Sequence, residues 1–504
     1  MNEPRLSKVT ITLFWLSLLG AWMVLLVTKH WGLGLMPESI VYVQAAKNFV
    51  SGQGLSVFSG TGAFLPLTHF PPLFPFVLSW GWFLGMDAFT WARFLNAALF
   101  GVSIFLAGML AFTYSRKLSS AVLAAVLLGS VHIFETQVML LSEPLLLAEA
   151  LGFFLAFALF LNSKTRGAFY VAASFAAASG LTHAIGIILI LSGGAAFQVL
   201  SSGEKGERSR RAFFFTVLAL FPATLWFVCK QIYGAPAAAG AYRLHWPPLE
   251  NVYVSINTVS SWLLPVRVPD GVRWAVLGLV IGVALALVRR NRSVARQRSS
   301  QAMLAPVWFL GTFLLASVIK GLSVVGTEAL SHRGLVLVYV ILFILLATNW
   351  YGLWRLESLS VIVRRVMFAG LIVFLGLTVL RSAQFGAAFY KHGVGYTSKA
   401  WAESLVVKNI RALDNVPVYT NDPEAFYYLT GRPAVMIPGS DQRSAYFPAA
   451  EKVSDDFNNS RAIAVIFLPS EDKRKFLAQA ISVVQLTRFM GDNVADIYGV
   501  KRKR

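Results

Sequence analysis

Glu38, Glu143 and Arg333 are charged side chains set beside long apolar runs, where each calls for an explanation. Glu38 follows Pro37 and opens an amphipathic run, Ser39 to Val50, with Tyr42, Ala45, Ala46 and Phe49 on one face. A carboxylate beside a membrane can act as general base for an acceptor hydroxyl; it can equally be a helix-start residue drawn to the positive N-terminal end. Ser142-Glu143-Pro144 stands at the mouth of another apolar run, with Glu149 deeper inside it. An acid within a span is costly and by default a functional candidate. The bland alternatives are a neighbouring helix that satisfies Glu149 and a helix start at Glu143 followed by proline. Arg333, after His332 at the head of a late apolar run, can clamp a phosphate with its planar fork or snorkel toward lipid headgroups. Arg243 and Arg267 are weaker candidates of the same kind. His69 lies in an aromatic and proline corner, Thr68 to Pro75, and can hold a phosphate, a metal or only a structural hydrogen bond. His183, His245 and His332 are too scattered to give ligand spacing, so a divalent metal stays open. Cys229 is the single cysteine, which excludes a disulfide framework and a cysteine-based metal site.

The elements that must position these residues are membrane helices. Of the 504 residues, 56% are hydrophobic and 13% charged, against roughly a quarter charged in ordinary soluble domains. Stretches such as Val9 to Thr28, Leu335 to Trp350 and Arg365 to Leu380 run to nearly the length that crosses a hydrocarbon core of ~30 Å. In lipid they must be helical, because each backbone amide has to be satisfied within its own segment. The first of them reads as an uncleaved span. The net charge of +20 raises the question of nucleic acid. Its distribution excludes that class: Arg116 and Lys117, Lys205 to Arg211, Arg289 to Arg298 and similar clusters alternate with apolar runs, as cytoplasmic loops do.

Threading the chain so that each cluster is cytoplasmic yields about eleven spans. The fold class is then an all-α polytopic membrane protein, residues 1–383, followed by a small extracytoplasmic α/β domain, residues 384–504. Pro71 to Met86 carries three prolines and is expected to lie along the membrane rather than cross it, within one long outer loop, residues 30–92. A single span is expected to end near Phe134, leaving His132 to Glu143 outside, and the last span to end at about Arg381. This arrangement brings Glu38 and the Glu135/Glu143 pair to one face of the membrane. In the C-terminal part, Val416 to Thr420 reads as an edge strand because of its proline, Ala462 to Phe467 as a second strand and Ser470 to Val484 as a helix. Asn421-Asp422-Pro423-Glu424 starts a helix that carries Tyr427 and Tyr428.

Several short pieces resemble the C-type superfamily of membrane glycosyltransferases, in particular the branch of protein O-mannosyltransferases and bacterial aminoarabinose transferases. The pieces are Glu38-Ser39-Ile40-Val41-Tyr42, Phe70-Pro71-Pro72-Leu73-Phe74-Pro75, Ala92-Arg93-Phe94-Leu95-Asn96, Ser142-Glu143-Pro144-Leu145 and His332-Arg333-Gly334-Leu335. Tyr419 to Ala425 with Leu429 to Arg432 resembles the outer domain of bacterial members. The resemblance implies an inverting transfer of a hexosyl or pentosyl group from a polyprenyl-phosphate-linked donor to a hydroxyl acceptor, at the outer face of a bacterial inner membrane. By resemblance Glu38 is the acid that activates the acceptor, Glu143 a second acid on the same face, and Arg333 a donor-phosphate contact. His69 and Arg243 are further phosphate candidates, and Tyr42, Glu149 and His332 candidate substrate contacts. The chain departs from the pattern at Phe70, where aminoarabinose transferases carry lysine, and at Glu38, where aspartate is usual. The competing class is a transporter or flippase of a lipid-linked precursor. Such proteins favour charged or broken helices near the midplane, whereas the acids here gather mainly at one interface.

Overall fold

The computed structural model describes residues 6–58, 63–233, 246–290, 301–323, 330–354, 360–413, 416–436, 455–457, 459, 462–467 and 486–500. Arg243, His245 and the expected helix Ser470 to Val484 lie outside the described residues. The chain opens with α1 (Leu6–Val27), α2 (Pro37–Val50), the strands β1 (Ser56–Phe58) and β2 (Phe64–Pro66), and α3 (Leu73–Phe83). It continues with α4 (Ala88–Ser115), α5 (Leu118–Leu127), α6 (Val131–Gln137), α7 (Glu143–Ser163), α8 (Arg166–Thr182), α9 (Ile185–Leu200) and α10 (Lys205–Tyr233). The helices α11 (Leu249–Ser260), α12 (Asp270–Arg290), α13 (Leu304–Ser323), α14 (Val336–Trp354) and α15 (Val361–His392) follow.

The bundle is organised around α4, which packs on α1, α5 and α7. Its outward faces are apolar. In α15 the most hydrophobic window is only 6% buried, with Val361, Ile362 and Val366 all well exposed. An apolar face of that extent is stable only against lipid, since water would penalise every uncovered side chain. The chain is therefore an integral membrane protein. Among the described residues six helices are long and apolar enough to span, or seven if α5 and α6 together form one. Each of the eleven stretches expected to span is helical, but α8, α9 and the apolar part of α14 are short, so length and composition do not establish a count of eleven. With 11 residues, α3 is only ~16 Å long, about half the hydrocarbon thickness.

Two boundaries differ from the sequence reading. The span expected to end near Phe134 is broken: α5 and α6 are bent by 63°, because Gly129 and Ser130 stop α5 and Ser130 restarts the chain in an extended conformation. The last long helix runs on past Arg381, the expected end of the last span, to His392. The segment between α2 and α3 also contains an antiparallel β1–β2 hairpin that the sequence did not announce.

After Gly393 come α16 (Lys399–Glu403), α17 (Leu405–Arg411), β3 (Val418–Thr420), α18 (Pro423–Thr430), β4 (Val435–Met436), β5 (Ile463–Phe467), β6 (Leu486–Gly491) and β7 (Ala495–Val500). The strands form one sheet in the order β4-β3-β5-β7-β6, parallel at β3 with both neighbours and antiparallel elsewhere. The strand expected at an edge is thus interior. Pro417 precedes β3 and its carbonyl accepts from Ile463 N–H, so the proline removes no donor from the ladder.

This C-terminal part shares a hydrophobic core with the segment between α1 and α4. Leu35, Ile40, Tyr42 and Phe74 pack in the same cluster as Trp401, Phe426, Val465 and Phe467. The chain is also stitched by main-chain bonds at the end of the bundle where α2 and α7 begin. Leu35 pairs with Gly395 and Gly34 with Met139 as isolated bridges. Gly395 has φ +67°, and a Cβ there would stand 1.9 Å from the Leu35 carbonyl oxygen. Gly395→Ala is therefore expected to lower the apparent melting temperature in detergent, since the left-handed backbone alone costs a non-glycine residue about 1–2 kcal/mol. Gly370→Ala, on an open stretch of α15, should not lower it; equal behaviour of the two variants would show that the crossing tolerates a side chain.

Candidate active site

The acids are positioned from the backbone outward. Pro37 starts α2 where no amide donor is needed. Ser39 accepts from Met36 N–H at 3.0 Å and donates to the Leu140 carbonyl at 2.7 Å, tying the first turn of α2 to the linker between α6 and α7. Gly34 N–H donates to Val138 O and Leu140 N–H to Gly34 O. From the other side, the buried Asn96 amide donates to the carbonyls of Gln137 at 3.0 Å and Met139 at 2.7 Å. Asn96 belongs to one of the sequence pieces noted above, and its evident role is to hold this linker. With the linker fixed, the N-termini of α2 and α7 sit side by side.

Arg333, in the turn before α14, bridges them. Its Nε donates to Glu143 Oε1 at 2.9 Å and its Nη1 to Glu38 Oε1 at 3.3 Å. The two carboxylates differ in solvent: the Glu143 side chain is 5% exposed and that of Glu38 32%. Glu143 Oε2 is buried with no hydrogen-bond partner among the described residues. Burial opposes the charge on Arg333, but Glu143 and Glu38 outweigh it and raise the guanidinium above its ordinary value. Glu135, on α6, is also within reach of that charge. Two carboxylates on one cation leave the trio with a net negative charge.

Tyr42 lines this group. Its hydroxyl lies 3.3 Å from Ser142 Oγ, and its ring rests on Phe70 and Phe74 with centroids at 4.9 and 5.0 Å. Burial raises the phenol above its ordinary range, and the charges of Glu143 and Glu38 raise it further, so it stays a neutral hydrogen-bonding group. His69 stands edge-on to Phe70 at 4.7 Å, one ring removed from Tyr42. Glu149 is apart from the trio: its Oε1 accepts from Thr182 Oγ1 at 3.0 Å, while Oε2 is buried and unpartnered among the described residues. His332 also turns away from the acids and stacks on His132 with centroids at 4.4 Å and planes 9° apart. His132 Nε2 lies 3.2 Å from Arg381 Nη2, and Arg381 Nη1 donates to the Ser261 carbonyl. Among the described residues no group of three or more His, Cys, Asp or Glu could hold a metal ion.

The sequence did not single out the groups that the C-terminal part and the last helix add. Arg381 read only as the end of a span, and its position beside two histidines depends on how α6 and α15 pack. Tyr396 Oη donates to Asp422 Oδ2 at 2.6 Å, and Asp422 Oδ1 caps α18 through Ala425 N–H. Glu424, in the first turn of α18, has its carboxyl pushed up to about 7 by burial and by the charges of Asp422 and Glu38. Only the turn chemistry of this segment was legible beforehand; its approach to α2 was not.

Two outcomes follow from this electrostatic arrangement. Arg333→Ala strips the buried Glu143 of its partner, and a lost charge-assisted bond of this kind costs about 1.5–3 kcal/mol. Adding Glu143→Gln should return much of that loss in a double-mutant cycle read by chemical denaturation, whereas strict additivity would mean that the pair is not coupled. For Glu424 the folded pKa lies above the unfolded one, so the folded state holds more protons between pH ~4.5 and ~7. Stability should fall as pH rises through that window and level off above it, and Glu424→Gln should flatten the slope in thermal melts across that range.

No protein-family model and no curated protein matches the chain in sequence. Its structure, however, superposes on ArnT from Cupriavidus metallidurans bound to undecaprenyl phosphate, with a TM-score of 0.60 at 14% identity over 97% of both chains. An Archaeoglobus fulgidus oligosaccharyltransferase tethered with an acceptor peptide gives a TM-score of 0.57 at 12% identity, over 93% of this chain and 70% of that one. The archaeal oligosaccharyltransferase AglB from the same organism, in complex with an inhibitory peptide and a dolichol-phosphate, gives 0.54 at 11% identity, over 94% and 71%. At such identities the likeness speaks for architecture alone, and it extends over nearly the whole chain: the protein has the GT-C fold of membrane glycosyltransferases.

Proposed function

We propose that this protein is an inverting glycosyltransferase that moves a sugar from a polyprenyl-phosphate-linked donor to a hydroxyl acceptor at the outer face of the membrane. The observation that carries the reading is the Glu38–Arg333–Glu143 trio, two acids and one guanidinium from three distant parts of the chain, set where helix ends meet the outer loop of a GT-C fold. The undecaprenyl phosphate bound to the ArnT neighbour supports a donor of the same chemistry. The eleven-span threading, with the C-terminal α/β part and the acids outside the cytoplasm, belongs to this proposal.

Glu38 is the better base because it is the more exposed acid and opens the trio to an incoming hydroxyl. It takes the acceptor proton as the acceptor oxygen bonds to the anomeric carbon. The bond from that carbon to the phosphate oxygen breaks on the opposite face, and the electron pair leaves with the polyprenyl phosphate. Glu143, buried and bound to Nε, holds Arg333 in place, so that the guanidinium can meet phosphate charge as it develops. Arg381, flanked by His132 and His332, is a second cationic group for the donor phosphate. Arg243 and His69 remain proposed contacts of the same kind, and Tyr42 a neutral donor to substrate.

A single observation favours the transporter alternative: Glu149 keeps one buried, unpartnered oxygen inside α7. The two readings separate on Glu38→Gln. A glutamine keeps the shape but cannot take the proton, so release of polyprenyl phosphate from a lipid-linked sugar should drop by ~10² to 10⁴ while donor binding persists. Release at the wild-type rate would remove Glu38 from the chemistry and favour transport.

A further inference from the structure

Beside the acids, and separated from them by Tyr396, is a cleft that the transfer reaction leaves unused. It lies between the outer ends of α1 and α15 and the C-terminal part, with a volume of about 210 Å³, on the scale of one sugar ring. Its walls include His30, Trp31, Tyr396, Trp401, Tyr428 and Arg411. Tyr396 and Trp401 meet at 4.8 Å between centroids, and Tyr396 and Tyr428 lie at 6.1 Å with planes 24° apart. Trp31 Nε1 is buried with no hydrogen-bond partner among the described residues. The cleft is therefore met by the Trp31 ring and not by its N–H. Arg411, the last residue of α17, is exposed, its charge felt by Tyr428, and among the described residues no carboxylate is within ion-pair distance of it.

We propose that this cleft binds an acidic sugar residue. The C–H face of a pyranose ring is apolar and packs on aromatic rings, while its hydroxyls have Thr397 and Ser398 of the cleft wall beside them. The guanidinium of Arg411 supplies the fork that suits a carboxylate. A purely apolar ligand or a neutral sugar would leave Arg411 idle. Tyr396 connects the cleft to the chemistry: its ring is a wall of the cleft, its hydroxyl bonds Asp422, and its N–H bonds the carbonyl of Leu35, three residues before Glu38. The bound residue is thus part of a saccharide acceptor, an assignment of role that rests on the transferase reading, whereas the binding chemistry does not.

The test uses full-length protein in nanodiscs of zwitterionic lipid, without donor, titrated with a disaccharide ending in glucuronic acid and with its neutral glucose counterpart. The wild type should prefer the acidic disaccharide. Arg411→Gln, at an exposed position, should erase that preference by weakening the acidic ligand about tenfold, the loss of one charge-assisted contact, and leave the neutral one unchanged. Trp31→Ala, which removes one aromatic wall of the cleft, should weaken both. The proposal is overturned if the wild type binds neither ligand or shows no preference, if Arg411→Gln keeps the preference, or if added phosphatidylglycerol displaces the disaccharide and marks the cleft as a lipid-headgroup site. Intact binding with no transfer activity in any preparation would sink the transferase reading and leave the sugar site standing.

Discussion

Main-chain hydrogen bonds between segments far apart in sequence hold together the end of this protein that carries Glu38 and Glu143. The chain leaving α1 bonds to the linker before α7 through Gly34, Val138 and Leu140, and to the chain leaving α15 through Leu35, Gly395 and Tyr396. Each contact satisfies peptide groups that would otherwise be stranded at a helix end. Together they fix where α2 and α7 begin, and so where Glu38 and Glu143 stand. Small residues are needed at the crossing because backbone meets backbone there: at Gly395 a side chain would collide with a carbonyl oxygen rather than with something able to turn aside.

On that frame the electrostatics follow from depth. Glu143 is nearly sealed, and its charge is tolerable because Arg333 neutralises it at 2.9 Å; an unpaired buried carboxylate would be far more costly. Glu38 shares the same guanidinium at longer range and greater exposure. The same cation thus stabilises one acid and leaves the other accessible. Asp422 adds negative charge from the C-terminal side, and burial together with the charges of Asp422 and Glu38 moves Glu424 toward neutrality. The electrostatics around Glu38 are therefore a property of the membrane part and the C-terminal part jointly.

The C-terminal part is correspondingly no appendage. Its apolar residues complete the core beneath α2, and Trp401 stacks on Phe467 with planes 10° apart, linking the segment after α15 to the sheet. Phe58 and Phe89, from the first outer loop and α4, meet Tyr427 and Tyr428 of α18 at 5.8 and 5.9 Å. The cleft that presents Arg411 exists only because these parts share a boundary.

By itself the sequence determined the solvent and the helices, because long apolar runs leave a chain in lipid no other way to satisfy its amides. It also determined which charged residues were out of place in such a chain, and Glu38, Glu143 and Arg333 turn out to be in direct contact. Charge in an apolar run is a local signal, readable without knowing what lies opposite. The break between α5 and α6, the continuation of α15 to His392 and the interior position of β3 depended on packing, which local propensity does not encode. His332 shows the limit most clearly: adjacent to Arg333 in sequence, it faces His132 and Arg381 instead of the acids, since neighbours on a turn point in different directions. Asn96, Tyr396 and Arg381 acquire their significance from contacts with Met139, Leu35 and His132, all more than forty residues away along the chain, and Arg411 from a cleft between distant segments; only the tertiary structure brings those together.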